Sequence, residues 1–194
     1  MPEDLEEFSK IRFGKIARRY FVLNGFDGIL TILGITVGAF VARISDPFIL
    51  ISSGAGTAIG LLVSGVTGAY VTEKAERTGD LKDLKKSMVH DMENSIHEKK
   101  VKKQSTFIAI VNGASPLLCA LLIMVPYFLA YFNIIEMLNM AYISSIAISA
   151  VLLITFGGFL GEISRESKIG YSIKMLLAGV ITAALSLLLG VSGI

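Results

Sequence analysis

Apolar residues form five long runs in this chain, separated by shorter segments that carry most of the charge. A helix needs roughly 20 apolar residues to cross a bilayer, and each run is long enough. The first run contains one charged residue, Asp27, and the next three contain none. The pattern therefore predicts an all-α membrane protein with five transmembrane helices, at Tyr20 to Ala42, Pro47 to Thr72, Thr106 to Phe132, Met140 to Gly161 and Gly170 to Ile194.

The composition excludes several other classes of protein. Hydrophobic residues make up 53%, charged residues 18%, and the mean hydropathy is +0.68, whereas soluble domains carry about 25% charged residues. The net charge of +2 is too small to indicate a nucleic-acid partner. The single cysteine, Cys119, excludes a disulfide framework and a cysteine-based zinc site. No nucleophile–base pair is visible, so we expect no catalytic residues and no enzyme.

The basic residues predict the orientation of the chain in the membrane. Five precede the first run, nine lie between the second and third, and three follow the fourth, so 17 of the 18 share one side. The positive-inside rule places that side in the cytoplasm, with the C-terminus outside. We predict a cytoplasmic amphipathic segment at 1–19, helices 1 and 2 at 20–72, a helical cytoplasmic insert at 73–105, and helices 3 to 5 at 106–194. The short chain without a targeting extension favours the plasma membrane of a prokaryote.

Asp27 is the most informative residue, because a carboxylate within a membrane span costs about 2.5–3.5 kcal/mol on insertion scales. Asn24 and Thr31 lie on the same helical face, so three oxygen-bearing side chains share one stripe. One interpretation is an ion or proton site, with Asn24 and Thr31 assisting Asp27. The alternative is that Asp27 reaches the interface or pairs with Arg18 or Lys15.

The insert at 73–105 is rich in both acids and lysines. On one continuous helix, six of its seven acids would fall within an arc of about 80°. This face could collect divalent cations, since carboxylates suit Mn²⁺ and the nearby His90 and His97 would add affinity for Fe²⁺ or Zn²⁺. The alternative is an amphipathic helix whose charges pair with each other. The six acids are Glu73, Glu76, Asp80, Asp83, Asp91 and Glu98.

Small residues recur at four-residue spacing in three of the runs, including Gly56 and Gly60 in the second. This spacing is typical of closely packed membrane helices, and predicts a tight bundle or a tight dimer. Pro116 and Pro126 interrupt the third run. They predict a kink there, because proline frees backbone carbonyls within a helix.

Four motifs together resemble the vacuolar iron transporter family: FDGILTILGITVG in the first run, SGVTGAYVTEKAER at the end of the second, NGASPLL in the third and LLLGVSG in the fifth. The resemblance covers nearly the whole chain. It implies a homodimer in the lipid bilayer that exports Fe²⁺ or Mn²⁺ from the cytoplasm in exchange for protons, with no permanently bound cofactor. It also implies metal-binding carboxylates in the insert, and a place for Asp27 in the transport path.

The chain departs from the family pattern at the end of the second run. The family motif Ser-Met-x-x-Gly-Glu-Tyr is here Ser64-Gly65-Val66-Thr67-Gly68-Ala69-Tyr70, so its methionine and glutamate are replaced by Gly65 and Ala69. The asparagine that usually precedes the aspartate is Phe26. Two functions therefore remain open: a divalent-metal transporter, and a non-transporting scaffold or lipid- or partner-binding protein of the same fold.

Overall fold

The computed structural model describes the backbone of residues 3–88, 96–135 and 137–191, and the side chains of 14, 16–76, 78–80, 106–135 and 137–190. The described residues form five α-helices and no strand. The helices are α1 (Glu3–Val41), α2 (Pro47–Met88), α3 (Ile96–Tyr131), α4 (Leu138–Ser164) and α5 (Lys168–Val191). Each contains a segment long and apolar enough to cross a membrane. This confirms the predicted all-α membrane fold with five transmembrane helices.

The first three helices are longer than their apolar runs. The span-length segments are Ile16–Val41, Pro47–Asp80 and Thr106–Tyr131, whereas α1 begins at Glu3, α2 continues to Met88 and α3 begins at Ile96. Polar residues with good helix propensity prolong a helix beyond the bilayer, because no proline stops it there. The insert is therefore built largely as extensions of α2 and α3.

The helices α2 and α3 pack antiparallel, and glycines set their separation. A Cβ atom on Gly65 would lie 2.9 Å from the Cα atom of Gly113, and one on Gly54 would lie 2.7 Å from the Met124 sulfur. Since α2 and α3 run in opposite directions, residues 73–88 and 96–105 belong to two helices rather than one. The arc calculated for a continuous helix therefore does not describe this segment.

The helix α1 contacts all four other helices. Its inner residues Val22, Ile29 and Ile32 join a core cluster with residues of α2, α3 and α4. In contrast, only 6% of the apolar segment of α5 is buried. The helix α1 thus lies among the other four helices, and the contacts of its inward side chains position its outward ones.

The sequence of the turn between α1 and α2 accounts for its form. Arg43 adopts a left-handed conformation with φ 55°, which reverses the chain after α1. The Asp46 carboxylate then accepts a 2.9 Å hydrogen bond from the backbone N–H of Phe48. Pro47 is the first residue of α2, where its missing N–H and restricted φ are well tolerated.

Candidate ion site on the first membrane helix

Asp27 lies well inside the membrane-spanning part of α1, eleven residues after Ile16 and fourteen before Val41. Its side chain is exposed on the surface of the single chain. Among the described residues none forms an ion pair or a hydrogen bond with its carboxylate. The Arg18 guanidinium instead donates to the carbonyl of Gly14 at 3.2 Å, and the Lys15 side chain lies outside the described residues. The alternative prediction, an ion pair between Asp27 and Arg18, is therefore not observed in the structure.

Two glycines on either side of Asp27 orient its side chain. A Cβ on Gly28 would lie 2.7 Å from the Cα of Pro116, and one on Gly25 would lie 2.6 Å from the Ser115 hydroxyl oxygen. The Ser115 hydroxyl also donates a 2.5 Å hydrogen bond to the carbonyl of Phe21. The face of α1 that bears the glycines is therefore pressed against α3, and Asp27 is directed away from it. Two motifs that are distant in sequence, FDG and NGASP, form this contact.

Asn24 takes part in a polar network that joins three helices. Its amide donates to the carbonyl of Tyr20 at 3.0 Å and to the side-chain oxygen of Asn112. The Asn112 amide donates in turn to the carbonyl of Gly65 at 2.7 Å. Asn24 is thus tied to α3 and α2 through its amide, one helical turn before Asp27.

Asn112 is a residue of this site that sequence reasoning did not single out. It is 6% exposed and lies in an apolar run that has no other amide or charged side chain. An amide isolated in an apolar run was the signal that could have identified Asn112, because buried amides in membrane helices need hydrogen-bond partners. Asn112 therefore fixes Asn24, and through it the register of α1 against α3.

Thr31 lies one turn beyond Asp27 and remains close to it. Its hydroxyl donates a 2.7 Å hydrogen bond to the backbone carbonyl of Asp27. This bond uses the hydroxyl proton only, so the hydroxyl lone pairs can still accept a hydrogen bond or contact a cation. The structure therefore brings Thr31 and Asp27 together through the backbone, with both side chains available on one stripe.

The two departures from the family motif on α2 lie at helix contacts. Gly65 packs on Gly113, and a side chain at position 65 would strike the α3 backbone. Ala69 is 4% exposed, and Glu73, one turn further along, is 5% exposed. The Glu73 carboxylate contacts the hydroxyl of Tyr20 on α1. Among the described side chains of α2, the buried carboxylate therefore lies at position 73 rather than at 69.

The other predicted acids of the insert are spread along α2 and α3. Glu76 and Asp80 are exposed on α2. Asp83 lies on α2 and Glu98 on α3, but their side chains, together with all of Asp91, lie outside the described residues. Within the described part of the chain, no three histidine, cysteine or acidic side chains are grouped so that they could hold a metal ion.

The outer surface of α2 carries a regular row of small residues. Six of them, each four residues after the last, are exposed, and the three glycines in this row would meet nothing within 4 Å if they carried a Cβ. We call this row the small-residue stripe: Ser52, Gly56, Gly60, Ser64, Gly68 and Thr72. The exposed surface of α5 is different, since it presents large aliphatic side chains such as Ile173, Leu177, Ile181 and Leu188. Large aliphatic surfaces suit lipid, and rows of small residues suit a second helix.

Comparison with known proteins places this chain in a family. The chain is 30% identical to an uncharacterized protein of Methanocaldococcus jannaschii over 188 residues, which are 95% of this chain and 94% of that protein. Residues 79–191, more than half of the chain, match the VIT family. Members of that family are membrane transporters of metal ions rather than enzymes. The chain, with its five membrane-spanning helices, belongs to the VIT family.

Proposed function

We propose that the protein exports a divalent transition metal, Fe²⁺ or Mn²⁺, from the cytoplasm in exchange for protons. The observation that carries this proposal is the exposed Asp27 carboxylate within a membrane-spanning helix. A lone carboxylate facing lipid is costly, and is retained where it faces a water-filled path or an ion. The carboxylate can bind a metal ion when it is ionised and can carry a proton when it is neutral. Alternation between these two states is what an exchange of metal for protons requires.

Charge balance favours a path shared by two copies of the chain. A divalent ion carries two positive charges, and one Asp27 supplies a single negative charge. Two copies related by a twofold axis would bring two Asp27 carboxylates, with the lone pairs of two Thr31 hydroxyls, to a common axis. Carboxylate and hydroxyl oxygens suit Mn²⁺ and other hard cations. We therefore infer a homodimer with the metal path between the copies.

The small-residue stripe is the surface best suited to such a dimer. Its glycines let two helix backbones approach closely, and close packing is a main source of helix association in membranes. Gly38 on α1, like the glycines of the stripe, has open space where a Cβ would lie. A second copy seated along α2 and the open side of α1 would remove Asp27 from contact with lipid.

The acids of the insert would form a cytoplasmic collecting surface for the metal ion. Glu76 and Asp80 are exposed at the cytoplasmic end of α2, and Asp83, Asp91 and Glu98 follow in the same insert. Several like charges attract divalent cations and raise their local concentration. In a dimer, a bound metal ion could also offset the repulsion between the two acidic inserts.

The orientation of the chain supports export. From the basic residues and the positive-inside rule we infer that the N-terminus and the insert lie in the cytoplasm. The collecting surface would then face the compartment from which the metal leaves. In a prokaryote this membrane is the plasma membrane.

Flux through proteoliposomes tests the proposal. Purified protein should carry Mn²⁺ or Fe²⁺ into vesicles, and an entrapped pH indicator should report protons leaving as the metal enters. The Asp27→Asn variant should reduce flux by at least tenfold, because the amide can neither neutralise the cation nor release a proton. Asp46→Asn is the matched control. Asparagine also caps a helix, so this variant should keep the wild-type flux. Wild-type flux from Asp27→Asn would refute the assigned path.

A second candidate function is a non-transporting scaffold or partner-binding protein of the same fold. It is favoured by Gly65 and Ala69, because both positions are occupied by helix packing and neither offers a metal ligand. The flux assay with Fe²⁺, Mn²⁺ and Co²⁺ separates the two functions. Transport of none of these ions by correctly folded dimer would favour the scaffold.

Metal binding to the insert is tested separately by calorimetry on the purified full chain. We expect the affinity for Mn²⁺ to fall when the six insert acids are changed to their amides. The matched control is the pair Glu162→Gln and Glu166→Gln, which removes acids from the turn between α4 and α5. Binding that is unchanged by the six amides would favour the alternative, a purely structural pair of amphipathic helices.

A further inference from the structure

Glu73 of α2 is a buried acid that belongs neither to the exposed collecting surface nor to the stripe around Asp27. It is 5% exposed, whereas Glu76 and Asp80 further along the helix are exposed. The three acids lie within about 60° of one another around α2, because spacings of three and four residues match the helical repeat. Along this face the acids pass from solvent into the bundle, and Glu73 is the innermost of the three.

Glu73 is buried against Tyr20, near the start of the membrane-spanning part of α1. The Glu73 carboxylate lies in hydrogen-bond contact with the Tyr20 hydroxyl, and Glu76 lies close enough to Tyr20 to interact with it electrostatically. The Arg19 guanidinium covers the Tyr20 ring, 5.7 Å from its centroid. The Tyr20 side chain is therefore positioned by Arg19 on its own helix and by two acids of α2.

Tyr20 shares its face of α1 with the candidate ion site. Asp27 is seven residues beyond Tyr20, which is a rise of about 10 Å along the helix axis. Between these two residues, the Asn24 amide donates to the Tyr20 carbonyl at 3.0 Å. The Glu73 carboxylate therefore lies at one end of a polar stripe that leads to Asp27. Four side chains of α1 form this stripe and lie within about 60° around the helix: Tyr20, Asn24, Asp27 and Thr31.

We propose that Glu73, held by Tyr20, is an intermediate binding site for the metal ion between the collecting surface and Asp27. This inference rests on the proposed transport function and adds a residue to its path. Ionisable side chains within membrane spans mark ion pathways. Conduction requires sites that bind an ion without trapping it, and a series of sites meets this need. Glu73 would divide the distance between the exposed acids of α2 and the carboxylate of Asp27.

The chemistry of the two side chains suits a hard divalent cation. A carboxylate has about four lone-pair sites, and the Tyr20 hydroxyl occupies one of them. A hydrogen bond to an ionised carboxylate is stronger than one between neutral groups, and it fixes the direction of the acceptor oxygen. Carboxylate oxygens suit Mn²⁺. Glu73 is thus the metal ligand, and Tyr20 is the residue that positions it.

The concentration dependence of Mn²⁺ flux into proteoliposomes tests the proposal. Glu73→Gln should raise KM for Mn²⁺ by at least tenfold, because the amide cannot neutralise the ion, and should change the maximal rate by less than twofold, because Asp27 is intact. Glu166→Gln is the matched control, since Glu166 is an exposed acid in the turn between α4 and α5. This control should keep the wild-type KM. Glu73→Asp retains the charge and should keep a KM closer to that of the wild type.

Two results for Glu73→Gln would overturn the proposal. One is a KM within twofold of the wild-type value. The other is a lower maximal rate at unchanged KM, which would mean that Glu73 only supports the fold. A wild-type protein that carries no ion would refute the proposed function, and the intermediate site with it. Wild-type flux together with a Glu73→Gln variant that behaves like Glu166→Gln would refute the intermediate site alone.

Tyr20→Phe provides a second test, because it keeps the ring and removes the hydroxyl. We expect KM for Mn²⁺ to rise by about tenfold. In the Glu73→Gln background the same change should add little, since residues in one hydrogen-bonded unit are not additive. Tyr70→Phe is the matched control, because the Tyr70 ring lies under Lys74 on α2. Additive effects of Tyr20→Phe and Glu73→Gln, or no effect of Tyr20→Phe, would overturn the assignment of both residues to one site.

Discussion

At the scale of single residues, the effect of a glycine depends on what its missing Cβ would meet. Position 65 faces the backbone of α3, where an added Cβ would come within 2.9 Å of the Gly113 Cα atom. Position 79, in the polar extension of the same helix, faces open space. The two glycines look equivalent in the sequence, yet they have opposite consequences for stability.

We expect Gly65→Ala to lower Tm by roughly 4–8 °C, because an added Cβ forces two backbones apart. Gly79→Ala should leave Tm unchanged or raise it slightly, since alanine is the better helix former by about 1 kcal/mol. Thermal unfolding of the two variants in the same detergent provides the measurement. Equal destabilisation by both would contradict the close contact of α2 with α3.

The asparagine network makes a second prediction at this scale. Asn112→Ala removes the donor to the Gly65 carbonyl and the acceptor for Asn24, so we expect a loss of about 1–3 kcal/mol in the free energy of unfolding. The exposed Asn139 is the control, because Asn139→Ala should have an effect within about 0.5 kcal/mol. Denaturant titration in mixed micelles measures both. A loss no larger for Asn112 than for Asn139 would show that the network contributes no stability.

At the scale of helices, the α4–α5 hairpin is held by close backbone contact rather than by charge. A Cβ on Gly157 would lie 2.6 Å from the backbone nitrogen of Ser172, and one on Gly161 would lie 2.5 Å from the Cα of Lys168. The Lys168–Glu162 ion pair at the same turn has a 2.8 Å separation, but its side chains are 62% and 68% exposed. Exposed ion pairs contribute little, because water and salt screen them.

Gly157→Ala should therefore lower Tm by several degrees, whereas Glu162→Gln should change it by less than about 1 °C. Thermal unfolding at low and high salt would check both. A large salt-dependent loss from Glu162→Gln would show that the ion pair, and not the glycine contact, holds the hairpin.

At the scale of the whole molecule, the two outer surfaces of the bundle differ in chemistry. The small-residue stripe on α2 offers close approach, whereas α5 offers large aliphatic side chains to lipid. This difference predicts which surface pairs with a second copy. It also predicts that a second copy seated along α2 would enclose the path that contains Asp27.

We expect Gly60→Leu to weaken dimerisation by about tenfold or more, because the larger side chain separates the two helices. The chain itself should still fold, since position 60 faces open space in the single chain. Val180→Leu on the surface of α5 is the control and should leave the dimer intact. Single-molecule photobleaching in lipid bilayers counts the copies. Dimers unaffected by Gly60→Leu would rule out the stripe as the contact.

The predicted orientation can be measured on the whole molecule by cysteine labelling. Cys119 is buried, so it should contribute little background. A membrane-impermeant maleimide added to intact cells should label Ser45→Cys and spare Thr78→Cys. Inside-out vesicles should show the reverse. Labelling of Thr78→Cys in intact cells would invert the topology and the direction of transport.

Much of the fold and part of the site could be predicted from the residues alone. Five apolar runs predicted five spanning helices because lipid tolerates only helices of that length with satisfied backbones. Asp27 stood out because a carboxylate within such a run is costly. The acids of the insert were found as a group. The arrangement of these acids could not be predicted, because a helical sequence pattern continues through 73–105. The pattern does not show that the segment belongs to two antiparallel helices.

The sequence by itself determined the membrane class, the number of spans, the family motifs and the position of the unusual carboxylate, since these depend on local composition and order. The tertiary structure alone decided that Gly28 lies against Pro116, that Asn112 joins Asn24 to Gly65, and that Gly65 lies against Gly113. It also decided that the Thr36 and Tyr127 hydroxyls face each other in the core. These are contacts between residues far apart in the chain. Helix periodicity constrains which face a residue occupies, but not which helix that face meets.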